Sequence, residues 1–103
     1  MLIDAGASLL LLIDFQGRLV PAIHQGADAV RNAGRLLAAA RIIGVPRLFT
    51  EQNPQGLGPT LPELAAEGDP VFAKHAFGAC REDGFLERIP AGAHVVVAGC
   101  EAH

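Results

Sequence analysis

The chain has few cysteines, few charged residues and no long apolar run. Its 103 residues include two cysteines, which cannot form a disulfide framework or a four-cysteine metal site. Even the strongest apolar run, residues 9–13, is far shorter than the roughly 20 residues of a membrane span. No basic run is present and the net charge is −3, which argues against a nucleic-acid surface. We therefore expect a cytoplasmic protein with neither a membrane nor a nucleic acid as partner.

What the chain does contain is typical of one folded domain. Half of its residues are apolar, so intrinsic disorder is excluded. A chain of this length makes one domain at most. Twelve glycines and seven prolines supply enough turns for strands that alternate with helices.

Four apolar segments are predicted to be strands. The first is continuously apolar rather than alternating, which favours a strand covered on both faces, as in a parallel sheet. The fourth is the clearest β-branched run of the chain. The predicted strands cover residues 8–14, 45–50 with Glu51 and Gln52 at the end, 70–74 and 95–99.

The segments between these strands are predicted to be helices and loops. Residues 27–43 have helical periodicity, and Gly44 and Pro46 then stop the helix. Residues 53–59 are predicted to be a loop, residues 60–68 a helix opened by a capping box, and residues 81–89 a weak helix. The helical stripe consists of Val30, Ala33, Leu37 and Ala40, widened by Leu36 and Ile43.

The resulting order, β-α-β-α-β-α-β, predicts a doubly wound parallel sheet. Ligands of such sheets bind outside the carboxyl ends of the strands, so the residues at those ends are the candidates for a site. They are Asp14, Glu51, Gln52, Lys74, His75, Glu101 and His103.

Asp14 and Lys74 are the most informative of these residues. Asp14 follows five apolar residues, so its carboxylate needs a partner, although it could also cap the turn after the strand. Lys74 is the single lysine among eight basic residues, although its position could reflect chance exposure. Together they suggest a buried acid–ammonium pair beside a reacting group.

The remaining reactive side chains give weaker signals. The four histidines lack the spacing of metal ligands, so no metal or other cofactor is expected. Cys80 lies in a loop near Arg81, and Cys100 lies within or just beyond the apolar fourth strand, where it is expected to be a small core residue. Both are poor candidates for a nucleophile, because neither begins a helix whose dipole would favour a thiolate.

Several segments of the chain, taken in order, resemble the isochorismatase-like cysteine hydrolase superfamily. The resemblance is closest to its isochorismatase-domain-containing branch and extends over nearly the whole chain. The long middle segment is specific, whereas the others are supportive. The matching segments are residues 10–16, 40–46, 50–60, 73–74 and 99–103.

This resemblance implies a Rossmann-like three-layer αβα fold with a six-stranded parallel sheet, of which the first four strands are present. Residues 1–103 are then the N-terminal portion of one hydrolase domain; the alternative is a complete small domain. The chain stops four residues after Gly99, which also suggests that more follows. The nucleophilic cysteine of the family would lie two residues beyond His103. A cis peptide of the family would fall at Cys100–Glu101, where it would aim N–H groups at an oxyanion.

The activity that the resemblance implies is hydrolysis of a small amide or related C–N bond. Asp14 would shuttle a proton and Lys74 would stabilise the cysteine thiolate. From their positions at strand ends, Glu51, Gln52 and His75 are expected to line the pocket. A small-molecule substrate and a homo-oligomer are the expected partners. The alternative is a non-catalytic α/β module that acts as an oligomeric scaffold or small-molecule binder, since the chain itself lacks the family nucleophile.

Overall fold

The computed structural model describes residues 5–17, 21, 25–66, 68–75 and 78–99. Short 3-10 turns cover Ala5–Ala7, Ala79–Arg81 and Leu86–Arg88. Within this part of the chain no helix is long and apolar enough to cross a bilayer. The strands and α-helices, in chain order, are β1 (Ser8–Ile13), α1 (Gly26–Ile43), β2 (Arg47–Gln52), α2 (Pro54–Leu57), β3 (Val71–Lys74) and β4 (His94–Gly99).

The four strands form one sheet in the order β3-β2-β1-β4, and every neighbouring pair is parallel. The predicted α/β fold with a parallel sheet is therefore confirmed. β1 lies between β2 and β4, and both of its faces are covered, which explains why its sequence is apolar throughout. Each predicted strand lies within two residues of its observed bounds.

The two faces of the sheet bury separate apolar clusters. Leu10 and Leu12 of β1 pack on the α1 side with Leu37 of the helix. Leu9 and Leu11 pack on the other side with Phe85, which belongs to the segment after β3. Because successive strand residues point to opposite faces, the continuous apolar run of β1 supplies both clusters.

Helix α1 begins and ends within one residue of the prediction. Gly44 takes a left-handed conformation (φ 79°) and closes the helix by donating its N–H to Ala40. Leu36 and Ile43 were expected to widen the buried stripe, but they are 43% and 62% exposed. Both line an apolar groove of about 240 Å³ between α1 and Val96 of β4, so they border the core rather than enter it.

Three other predicted elements are wrong. The loop predicted at residues 53–59 contains α2, which has Pro54 in its first turn. The helix predicted at residues 60–68 is a single turn, because Thr60 gives its N–H and hydroxyl to Glu51 instead of capping a helix. The helix predicted at residues 81–89 is divided into two 3-10 turns, and Gly84 between them has φ 85°.

The Asp69 carboxylate, just before β3, connects the start of that strand to α1 and β2. Asp69 accepts hydrogen bonds from Arg41 of α1 (2.7 Å), Arg47 of β2 (3.2 Å) and the N–H of Ala66 (2.9 Å). Burial alone would raise the pKa of Asp69. The hydrogen bonds from Ala66, Arg41 and Arg47 outweigh burial and hold its pKa below the ordinary value of 3.8.

Candidate active site

The register of the strands determines which side chains meet at the carboxyl end of the sheet. Leu48 belongs to the cluster beneath Phe85, so Thr50 and Gln52 of the same strand face that side as well. Gln52 pairs directly with Lys74 of β3, and Thr50 pairs with Ile13 of β1. Alternation and register therefore bring Thr50, Gln52 and Lys74 together next to the end of β1.

Asp14 completes this group from the end of β1. Its backbone is left-handed (φ 58°), a conformation that aspartate adopts more readily than most other residues. Lys74 Nζ donates to Asp14 Oδ2 at 2.9 Å, and the Thr50 hydroxyl donates to Asp14 Oδ1 at 2.7 Å. The Lys74 and Asp14 side chains are 0% and 5% exposed. Both oxygens of the Asp14 carboxylate thus have partners inside the fold.

This geometry decides between the alternatives that the sequence left open. Lys74 is fully buried, so chance exposure does not explain its position. The Asp14 carboxylate bonds to Thr50 and Lys74, while the N–H of Gln16 in the following turn donates to the backbone carbonyl of Asp14. The carboxylate therefore does not serve as the cap of that turn.

Gln52 is the third partner in the group. Its Oε1 accepts a second hydrogen bond from Lys74 Nζ at 2.9 Å, and its Nε2 donates to the His75 carbonyl at 2.7 Å. Gln52 was expected at the rim from its position at a strand end. Its contact with Lys74 depends on the pairing of β2 with β3, which the sequence alone does not reveal.

Gln16 supports the site by hydrogen bonds, a role that the sequence alone did not predict. Its side chain is fully buried and bonds to both backbone groups of Gln52, as an acceptor from the N–H and a donor to the carbonyl. Its amide also donates to the Gly58 carbonyl at 2.7 Å. Gln16 thereby joins the ends of β1 and β2 to the loop that follows α2.

The other residues expected to line the pocket are placed differently. Glu51 points to the opposite face of the sheet, where it accepts hydrogen bonds from the Thr60 N–H and hydroxyl. The His75 side chain is exposed. The backbone of His75 accepts from Gln52 and donates to Glu82. Only Gln52 of the three bonds to the Lys74 ammonium through its side chain.

The remaining candidates lie outside the described residues or away from the Asp14–Lys74 pair. Cys100 and Glu101, with the cis peptide expected between them, lie outside the described residues. Cys80 is an exposed free thiol in a 3-10 turn. In the part of the chain that the structure describes, no group of three histidine, cysteine or acidic residues is placed to hold a metal ion.

The group has the chemical means for proton transfer next to a fixed positive charge. Removing a carboxylate and an ammonium from water is unfavourable, and their mutual attraction often does no more than offset that penalty. An ion pair is therefore weak evidence for a purely stabilising role. In open α/β sheets this end of the strands is also where ligands bind.

The chain belongs to the isochorismatase family: the family model described as Isochorismatase domain matches residues 8–103. Among curated proteins it resembles isochorismatase domain-containing protein 2 of Danio rerio, with 43% identity over 97 residues. That match covers 92% of this chain and 49% of the relative, so the chain spans about half the length of the curated relative.

Solved structures give the same result for the fold. A structure titled Mar1 ribonuclease from Caenorhabditis elegans superposes with a TM-score of 0.83 at 32% identity, covering 94% of this chain and 52% of that one. The YcaC gene product of Escherichia coli, titled an octameric hydrolase of unknown specificity, superposes with a TM-score of 0.81 at 26% identity. That match covers 94% of this chain and 52% of YcaC.

Proposed function

We propose that this chain carries the acid–base part of a hydrolase site for a small amide or related C–N bond. The observation that carries the proposal is the fully buried Lys74 ammonium, 2.9 Å from Asp14, at the carboxyl end of a parallel sheet. Family membership supports hydrolysis as the reaction class. The nucleophile is a cysteine that the resemblance places two residues beyond His103.

In this mechanism Asp14 takes the proton of the cysteine thiol, and the thiolate attacks the carbonyl carbon of the substrate. The C–N bond then breaks, and Asp14 returns the proton to the leaving nitrogen, which leaves a thioester. Water attacks the thioester carbonyl and gives a proton to Asp14, and the C–S bond breaks to release the acid. Asp14 returns this proton to the cysteine sulfur. Lys74 supplies the positive charge that stabilises the thiolate.

We propose further that residues 1–103 are the N-terminal portion of one hydrolase domain. The twofold length of the Danio rerio relative supports this. The described part of β4 also presents apolar side chains at its surface, with Val95 and Val97 38% and 61% exposed. Cys100 and Glu101 would then follow β4 inside the domain and contribute N–H groups near the substrate oxyanion.

The substrate is proposed to be a small molecule that enters at the rim beside Gln52 and His75. Glu51 contributes from the other face of the sheet by holding Thr60, and with it the loop that borders the rim. A homo-oligomer is proposed by analogy with YcaC, an octameric hydrolase of unknown specificity.

The test is alkylation of the full-length gene product by iodoacetamide at neutral pH, with each cysteine identified by peptide mass spectrometry. The cysteine two residues beyond His103 should react at least tenfold faster than Cys80, because a thiolate is the reactive form. Lys74→Met and Asp14→Asn should remove that advantage, whereas Arg35→Gln on the exposed side of α1 should retain it. Release of ammonia from a panel of small primary amides should fall in parallel.

Two results would overturn the proposed function. One is the absence of a fast-reacting cysteine two residues beyond His103 in the wild-type protein. The other is a fast-reacting cysteine whose rate is the same in Lys74→Met and in the wild type. Circular dichroism of each variant establishes that it is folded before its rate is compared.

A further inference from the structure

We propose that Gln52 is a positioning residue: its neutral side chain fixes the Lys74 ammonium against Asp14 and leaves the ammonium charge available to the reacting group. The inference rests on the proposed function, because the reacting group is the cysteine thiolate. It assigns Gln52 to the interior of the acid–base group rather than to the wall of the substrate pocket.

The first step is the orientation of the Gln52 amide. Its oxygen accepts from Lys74 Nζ at 2.9 Å and its nitrogen donates to the His75 carbonyl at 2.7 Å. A flipped amide would place its NH₂ group against the ammonium and its oxygen against the carbonyl, and both contacts are repulsive. The side chain therefore has one favourable orientation, with the acceptor facing Lys74.

The second step is the position of the Gln52 backbone. Gln16 accepts from the Gln52 N–H at 2.7 Å and donates to the Gln52 carbonyl at 2.9 Å. Gln52 also pairs in register with Lys74, so the two side chains start from adjacent backbone positions. Side chain and backbone are thus both anchored, and the amide oxygen is pre-organised at the ammonium before any substrate binds.

The third step is charge. Asp14 and Lys74 together are neutral when both are ionised, and the amide of Gln52 adds no charge. A carboxylate at position 52 would accept the same hydrogen bond but would make the group net negative, which disfavours a thiolate nearby. Glutamine thus gives the geometry of an acceptor without cancelling the ammonium charge.

Lys74 allows a direct measurement of its own environment, and it is the single lysine of residues 1–103. In the full-length gene product labelled with ¹⁵N at lysine Nζ, the Lys74 ammonium signal of a ¹H–¹⁵N spectrum is identified as the one that disappears in Lys74→Met. We expect slow exchange of these protons with water in the wild type. In Gln52→Leu the exchange should be at least tenfold faster, whereas Gln52→Glu should restore slow exchange.

Alkylation of the cysteine two residues beyond His103 then separates the effect of geometry from the effect of charge. Both Gln52→Leu and Gln52→Glu should react about tenfold more slowly than the wild type, since one unit in the pKa of a thiol changes the thiolate fraction tenfold. The matched controls are Gln55→Leu and Gln55→Glu, which make the same changes at an exposed position of α2 and should react like the wild type.

The outcomes distinguish this inference from the proposed function. A wild-type protein without a fast-reacting cysteine contradicts the proposed function itself. A fast-reacting wild type combined with an equally fast Gln52→Glu overturns only the role of the neutral amide. Slow ammonium exchange that persists in Gln52→Leu overturns the positioning of Lys74 by Gln52.

Discussion

Lys74 and Asp14 depend on one another, because each is buried and charged. Removing one partner leaves the other buried without its counter-charge, which is far less favourable than losing an exposed ion pair. Lys74→Met should therefore lower the free energy of unfolding by about 3–5 kcal/mol, as measured by urea denaturation. The double variant Asp14→Asn/Lys74→Met should recover part of that loss.

The matched control for this prediction is Arg31→Gln, which removes the surface ion pair between Arg31 and Asp28. Both of those side chains are exposed, so the change in stability should be a small fraction of that for Lys74→Met. Equal effects of the two substitutions would show that the Lys74–Asp14 pair contributes no more than a surface pair.

Asp69 should make the stability of the protein depend on pH. Its folded pKa is lowered because the hydrogen bonds from Ala66, Arg41 and Arg47 outweigh burial. A lowered pKa means that the contribution is fully present above the unfolded value and disappears as pH falls through the folded value. Wild type should therefore be more stable than Asp69→Asn at pH 6, and the difference should shrink as the pH falls through the lowered folded pKa of Asp69.

Urea denaturation at a series of pH values measures this difference. A constant difference between wild type and Asp69→Asn from pH 6 down to pH 2 would contradict the assigned role of Asp69. Arg47→Gln tests whether hydrogen bonds lower the pKa of Asp69, because it removes one hydrogen bond to the carboxylate. The stability of this variant should depend less on pH than the stability of the wild type.

At the level of single residues, the sequence predicted the buried Asp14–Lys74 pair but not the other side chains that contact it. Asp14 and Lys74 were found because each ends a strand and because lysine is otherwise absent. Thr50 and Gln16 were missed as partners, because their roles depend on strand register and on a loop that folds back onto β2. The signal for Thr50 was its spacing, two residues before Gln52 and therefore on the same face.

Among the elements, prediction succeeded where periodicity and stop signals agreed and failed where tertiary contacts competed. Helix α1 has both an apolar stripe and Gly44, and it was predicted within one residue. The capping box at Thr60 had only local support, and Glu51 took the hydrogen bonds of Thr60 instead. Local capping patterns are weak when a carboxylate from another element is within hydrogen-bond reach.

Replacement by alanine should change the free energy of unfolding in opposite directions at Gly34, inside α1, and at Gly44, its C-terminal cap. Gly44 has φ 79°, so Gly44→Ala should lower the free energy of unfolding by about 1 kcal/mol through backbone strain alone, since nothing lies within 4 Å of the added carbon. Gly34 lies inside the helix, and an added carbon would meet Leu64 at 3.9 Å, an ordinary contact. Gly34→Ala should therefore raise stability by about 0.5–1 kcal/mol.

Thermal and urea denaturation of the two variants provide the measurement. Gly17→Ala is the control for the added methyl group, because Gly17 lacks both a positive φ and a neighbour within 4 Å. A stabilising effect of Gly44→Ala would contradict the left-handed cap, and a destabilising effect of Gly34→Ala would contradict the open contact with Leu64.

For the whole molecule, the parallel sheet was predictable but the unequal covering of its strands was not. β1 and β4 both contain a continuous apolar run, yet β1 is buried on both faces while burial alternates along β4. The difference lies on the side of Phe85, where Leu9 and Leu11 of β1 are covered while Val95 and Val97 of β4 are exposed. Within the described residues, β4 pairs with β1 alone.

The exposed face of β4 should make the 103-residue chain self-associate. Val95 and Val97 lie on one face of a strand whose outer edge has no pairing partner in the described part of the chain, and such edges readily pair with another chain. Val97→Lys should shift the chain toward monomer in sedimentation velocity at high micromolar concentration, because a charged edge resists pairing.

Ile42→Lys makes the same kind of change at an 84% exposed position of α1 and should leave association unchanged. A monomeric wild-type chain, or an equal effect of the two substitutions, would show that β4 does not mediate association.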